Sequence, residues 1–123
     1  GEIRDPVTAR MLLRCALSGH LIFTTIHAKC CTEAIKRLNE FGLHNEELYH
    51  TLSAVCAQRL YKKNGTDERV CIYEILEQRE LDAYFHEGQV PKEHHDIFEE
   101  IQAAVSKGII SQKEAVIDLP YAQ

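Results

Sequence analysis

The first periodic stretch of the chain is helical. Thr8, Met11, Leu12, Cys15 and Ala16 recur at three- and four-residue spacing, which predicts a stripe on one helix face. Asp5-Pro6 supplies an N-cap acid followed by proline at the first helical position, and Gly19 a C-terminal stop. The period then vanishes. Between His20 and His27 the chain reads Leu-Ile-Phe-Thr-Thr-Ile, a continuous apolar and β-branched run. Such a run predicts a strand buried on both faces of a parallel sheet.

Helical spacing returns with Thr32 as expected cap, Ile35, Leu38 and Phe41 inward, and Gly42 as the stop. Asn45 is the expected cap of a further helix, with Glu46 and Glu47 well placed in its first turn. Leu48, Leu52, Val55 and Cys56 form its expected stripe. Two strands, 59–63 and 69–76, are joined across Asn64-Gly65 and the polar Thr66-Asp67-Glu68, a hairpin signal. Leu81, Tyr84 and Phe85 then mark a short helix broken at 88–91. Ile97, Phe98, Ile101, Ala104 and Val105 mark a longer one ended by Gly108. Ser111-x-x-Glu114 is a capping box for a last turn or two. The composite is α/β with an acidic helical tail.

Composition narrows the class. In 123 residues, 45% are hydrophobic and 27% charged, as in a globular chain. No apolar run approaches the ~20 residues that span a bilayer, and no signal peptide is visible. Cysteines 15, 30, 31, 56 and 71 form no CxxC pair and leave one over, so reduced thiols are expected rather than a disulfide framework. Adjacent Cys30 and Cys31 do not easily share one tetrahedral zinc. Residues 1–63 hold nine Lys/Arg against six Asp/Glu, a net of +3; residues 64–123 hold five against thirteen, a net of −8. The second half is therefore a poor nucleic-acid surface. The first half can face an anion, and a nucleotide phosphate would serve.

Two segments hold candidate chemistry. Glu2 lies three residues before a helix cap, where a preceding strand would end. A carboxylate at that edge is where P-loop ATPases hold Mg²⁺ or orient the attacking water. His20 and His27 bracket the apolar run, near its opposite ends, with His27 level with the edge that would carry Glu2. An imidazole there can donate a hydrogen bond to a γ-phosphate. Each alone has an ordinary structural explanation, a solvated helix-start acid and two strand-end histidines satisfied by backbone.

GEIRD-x-x-TA at 1–9, LRCALSGHLIFTTIHA at 13–28, KRLNEFGL at 36–43, AQRL at 57–60 and V-x-IYEIL at 70–76 resemble, in order and spacing, the motor ATPases of type II secretion, type IV pili and DNA-uptake pseudopili. The resemblance covers residues 1 to about 77 and, more loosely, the tail. It implies the C-terminal part of a RecA-like P-loop ATPase core over 1–77, with an acidic helical subdomain over 78–123. It matches Glu2 to the Walker B glutamate, working at Mg²⁺ and water, and His20 and His27 to the histidine box. Arg14, Arg37 and Arg59 match positions where the family tends to place arginine at the nucleotide. ATP and Mg²⁺ are the implied cofactors of the full-length protein. A homo-hexamer, an inner-membrane platform protein as partner and a cytoplasmic place at the membrane face are implied as well, with no nucleic acid bound directly.

Three departures qualify this. Val7 stands where the family usually has Glu. The 64–68 loop is short where many members insert a four-cysteine zinc unit, so no zinc is expected, and the chain is most similar to the competence branch of Gram-positive bacteria. GxxxxGK[ST] is absent, so the chain by itself is expected neither to hold nor to hydrolyse ATP. As a piece beginning at Gly1 it is expected to form a monomer or a small non-physiological oligomer. Two other readings are a stand-alone α/β protein-interaction module, with the acidic helices as its surface, and a metal site of His86, His94 and His95. The latter conflicts with the divergent directions of adjacent helical side chains.

Overall fold

A computed structural model describes residues 1–119. The chain runs β1 (Glu2–Ile3), α1 (Pro6–Leu17), β2 (Thr25–Ile26), α2 (Cys31–Glu40), α3 (Asn45–Thr51), β3 (Val55–Lys62), β4 (Arg69–Leu76), α4 (Gln78–Glu87), α5 (Ile97–Ser106) and α6 (Gln112–Ala115). β1 and β2 pair in parallel, and β3 and β4 form an antiparallel hairpin.

Local chemistry sets most boundaries. The Asp5 carboxylate accepts from Thr8 N at 2.8 Å and starts α1. Gly19, at φ +95°, takes the left-handed turn after it. Ser111 Oγ accepts from Glu114 N at 3.1 Å and starts α6. The hairpin falls at 64–68, where Lys63 N donates to Glu68 O at 2.9 Å.

Packing corrects several expectations. Only Thr25–Ile26 of the His20–His27 run is strand, and the run is not buried on both faces: Leu21 is 79% and Phe23 87% exposed. The reason is pairing, because β1 offers two residues for register and no described strand lies beyond it. The buried positions of α1 are Ala9 and Leu13, while Met11 is 61% exposed and Cys15 lies at the surface. Cys30 rather than Thr32 is the N-cap of α2, without a side-chain cap. His44 rather than Asn45 is the N-cap of α3, in a capping box with Glu47, whose carboxylate accepts from His44 N at 3.0 Å. Asn45 Oδ1 instead accepts from Asn39 Nδ2. β3 begins at Val55, so Val55 and Cys56 belong to the hairpin and not to α3.

Two apolar clusters form. The first gathers Ala9, Leu13, Ile35, Leu38, Leu48, Leu76 and Leu81, from α1 to α4 and the end of β4. The second holds Tyr61, Ile97, Ile101, Ala104, Ile110 and Ala115, so α5 and α6 cover the hairpin. Ala57 packs against both. The five cysteines are free thiols. Among the described residues no helix is long and apolar enough to cross a membrane.

Candidate nucleotide-facing edge

The parallel register sets Glu2 against Thr25 and Ile3 against Ile26. Thr25 N donates to Gly1 O at 3.3 Å, and the Thr24 hydroxyl reaches the same carbonyl at 3.2 Å. Parallel strands end on the same side, so Arg4 and His27 leave the sheet together at its carboxyl edge. That edge is where open α/β sheets bind ligands. The Glu2 carboxylate stays accessible, its contact being Arg4 Nε at 3.2 Å with both side chains open to solvent. His27 is exposed and makes no hydrogen bond or ion pair among the described residues.

The other candidates lie elsewhere. His20 sits on the turn closing α1, its Nδ1 3.2 Å from both Ser18 Oγ and Cys15 O. Arg14, in the last turn of α1, is exposed and without an ion pair among the described residues. The Arg37 guanidinium lies 5.8 Å from the Phe41 ring centroid, and its buried Nε has no hydrogen-bond partner. Arg59 is engaged by Asp118 Oδ1 at 3.4 Å, Gln58 O at 2.9 Å and Lys29 O at 2.8 Å. Of the six candidates only Glu2 and His27 lie on or directly beside the β1–β2 pair, Glu2 opposite Thr25 and His27 just after the end of β2. Val7, in the first turn of α1, is 71% exposed.

The residues present fit one side of an ATP·Mg²⁺ site. An accessible carboxylate lies on β1 and a free imidazole just past the end of the neighbouring β2, whereas GxxxxGK[ST] is absent from the sequence. His86, His94 and His95 go to separate partners, the Tyr49 ring, Glu74 and Glu100. Among the described residues no cluster of three metal-ligating groups exists.

Sequence reasoning missed Glu74. It is 3% exposed and is the buried charged residue of the core. Its Oε1 accepts from Cys31 N at 3.2 Å and Ile97 N at 3.3 Å, and Oε2 lies 2.7 Å from His94 Nε2. A signal existed: β4 alternates, so Val70, Ile72, Glu74 and Leu76 share the inward face. Burial, followed by the charge of Glu74, pushes the Cys31 thiol well above its ordinary range.

The family described as Type II/IV secretion system protein matches residues 1–67. The chain belongs to that family. A competence protein, ComGA of Bacillus subtilis strain 168, is 31% identical over 125 residues, covering 89% of this chain and 35% of the relative. The ATPase DotB of Legionella pneumophila superposes with a TM-score of 0.76 at 21% identity, over 98% of this chain and 37% of that one. The pilus retraction motor PilT, solved with ADP, gives 0.73 at 25% identity, over 96% and 38%. The fold is therefore α/β, the C-terminal part of a RecA-like P-loop ATPase domain with a mostly helical tail. The chain spans about a third of the length of these relatives.

Proposed function

We propose that this chain is the C-terminal portion of a motor ATPase, working as a homo-hexamer on the cytoplasmic face of a membrane against an inner-membrane platform protein. Its cargo class is pseudopilus or pilus assembly, DNA uptake or type II secretion, with the competence branch favoured by the short 64–68 loop and by the ComGA relative. Residues 1–77 belong to the ATPase core and 78–123 to a helical subdomain; residues 120–123 lie outside the described residues.

The observation that supports this reading is the parallel register, which sets Glu2 opposite Thr25, two residues before the exposed His27 on the neighbouring strand. Bound ATP·Mg²⁺ would supply the phosphoryl group and the charge that polarises it. Glu2 would hold Mg²⁺ or orient the attacking water there. His27 donates to phosphate oxygen, and His20, at the far end of the run, belongs to the same box as a positioning group. Arg14, Arg37 and Arg59 are the basic groups of this half, and of these Arg14 is the freest to reach a phosphate. The cradle for the β- and γ-phosphates must come from residues outside this chain, so the 123-residue chain neither binds ATP tightly nor hydrolyses it. No zinc is part of the proposal.

Glu2→Gln in the full-length protein keeps shape and removes charge. Turnover should fall ~10²-fold or more with nucleotide binding largely kept. His27→Ala should also cut turnover. Either variant hydrolysing ATP at the parental rate would remove its residue from the site. Low-micromolar Mg·ATP affinity of the isolated chain, measured by calorimetry, would show that the chain needs no outside cradle.

A further inference from the structure

We infer that Glu74 and Arg59 are positioning residues, a two-point clamp on the hairpin that ties the loop leaving His27 to the C-terminal helices. The inference rests on the reading of His27 as a nucleotide-facing group. In the antiparallel register Ala57 faces Glu74 and Arg59 faces Ile72. Glu74 and Arg59 are therefore diagonal neighbours on the inward face.

Each holds the 28–31 segment with one hand and the C-terminal helices with the other. Arg59 donates to Lys29 O at 2.8 Å through one terminal nitrogen and to Asp118 through Nε at 3.4 Å. Asp118 is fixed in turn by the Tyr61 hydroxyl, which donates to its second oxygen. Glu74 accepts the first amide of α2 and the first amide of α5 on the same oxygen, while its other oxygen meets His94.

The arrangement is costly for a purely local task. A helix start is ordinarily capped by a nearby hydroxyl or carboxylate, and Thr32 was available in sequence for α2. Instead a carboxylate 43 positions away is buried to do it, which carries a desolvation cost that only its full set of donors offsets. Sharing one oxygen between two helix starts means that neither can shift without straining the other's bond. The planar guanidinium of Arg59 acts similarly, because its fork fixes the direction of both acceptors. A displacement of His27 on meeting phosphate is thereby passed two to four residues on, to the bonds that reach α5 and Asp118.

Amide hydrogen exchange and ATP hydrolysis of the full-length protein test this. Asp118→Asn, a change far from His27 in the chain, should speed exchange at 28–32 about tenfold and leave α1 and α3 as they were. It should lower kcat several-fold with KM for ATP unchanged. Glu74→Gln should speed exchange at both 28–32 and 97–100. Combining Arg59→Lys with Asp118→Asn should add little to either alone, as for two members of one contact. Unchanged exchange at 28–32 in both Asp118→Asn and Glu74→Gln overturns the clamp, and so does faster exchange spread evenly over the chain, which is simple destabilisation. Faster local exchange with parental kcat overturns the relay. Parental turnover in His27→Ala removes the function assigned to His27, an outcome separate from the exchange measurement.

Discussion

The 20–28 segment and the β3–β4 hairpin are both rich in apolar residues, yet they meet opposite fates. The segment is a near-continuous apolar run that lies mostly open, with Phe23 87% exposed; it pairs with the two-residue β1, and Ile26 packs against the first cluster. The hairpin alternates, and its inward face, with Tyr61 and Leu76 buried, is covered by α2, α5 and α6. Hydrophobic composition states a demand for cover; topology decides whether these residues supply it. The difference also separates tasks. The open segment and its partner strand leave Glu2 and His27 accessible, as the proposed function requires, and the covered hairpin holds Glu74 and Arg59 on fixed partners.

The contrast can be broken first in the covered region. Ile101 is fully buried in the second cluster, and Ile101→Ala should lower stability by ~2–5 kcal/mol through lost transfer energy and a residual cavity. Thermal or urea unfolding of the 123-residue chain reads this directly. A change under ~0.5 kcal/mol would mean that α5 does not cover the hairpin in solution.

Alkaline titration gives the next largest effect, with its largest contributions on the covered side. Tyr61 is raised above its ordinary value by burial and then by its bond to Asp118, and Cys31 is raised chiefly by burial. Both groups hold their protons more tightly when folded. The stability this represents is therefore complete below about pH 8.5, the lower of the two unfolded pKa values, and is lost as pH climbs. The loss should approach ~1.4 kcal/mol per pH unit for each group once its unfolded pKa is passed. Urea midpoints between pH 7 and 11 should be flat and then fall, with Tyr61→Phe blunting the fall above pH 10. An unaltered slope in that variant would take Tyr61 out of the covered side.

The smallest effect belongs to the open segment. Phe23→Ser should change the stability of the chain by less than ~0.5 kcal/mol, as for an exposed site, and should reduce self-association through the open edge. Light scattering after size exclusion measures the second part. A large loss of stability would show that the segment is covered after all, and a clean hexamer of the unaltered chain would place the ring contacts within these residues.

Much of this was legible in the residues because it depends on neighbours in sequence. The Asp5-Pro6 start, the turns after Gly19 and Gly42, the hairpin at 64–68 and the Ser111 cap are settled by backbone geometry within four or five positions. Glu2 and His27 became candidates only through the family motifs that hold them, because a helix-start acid and a strand-end histidine each have an ordinary structural explanation. Three things were decided only in the folded chain. The exposure of Leu21 and Phe23 depends on which strands pair there. The start of α2 at Cys31 depends on an acceptor from β4, so no local cap announces it. The burial of Glu74 depends on two helix starts, α2 and α5, meeting over one inward position of a strand. Local hydrogen bonds and φ angles can be read one residue at a time, whereas cover and charge satisfaction belong to pairs of elements that sequence distance keeps apart.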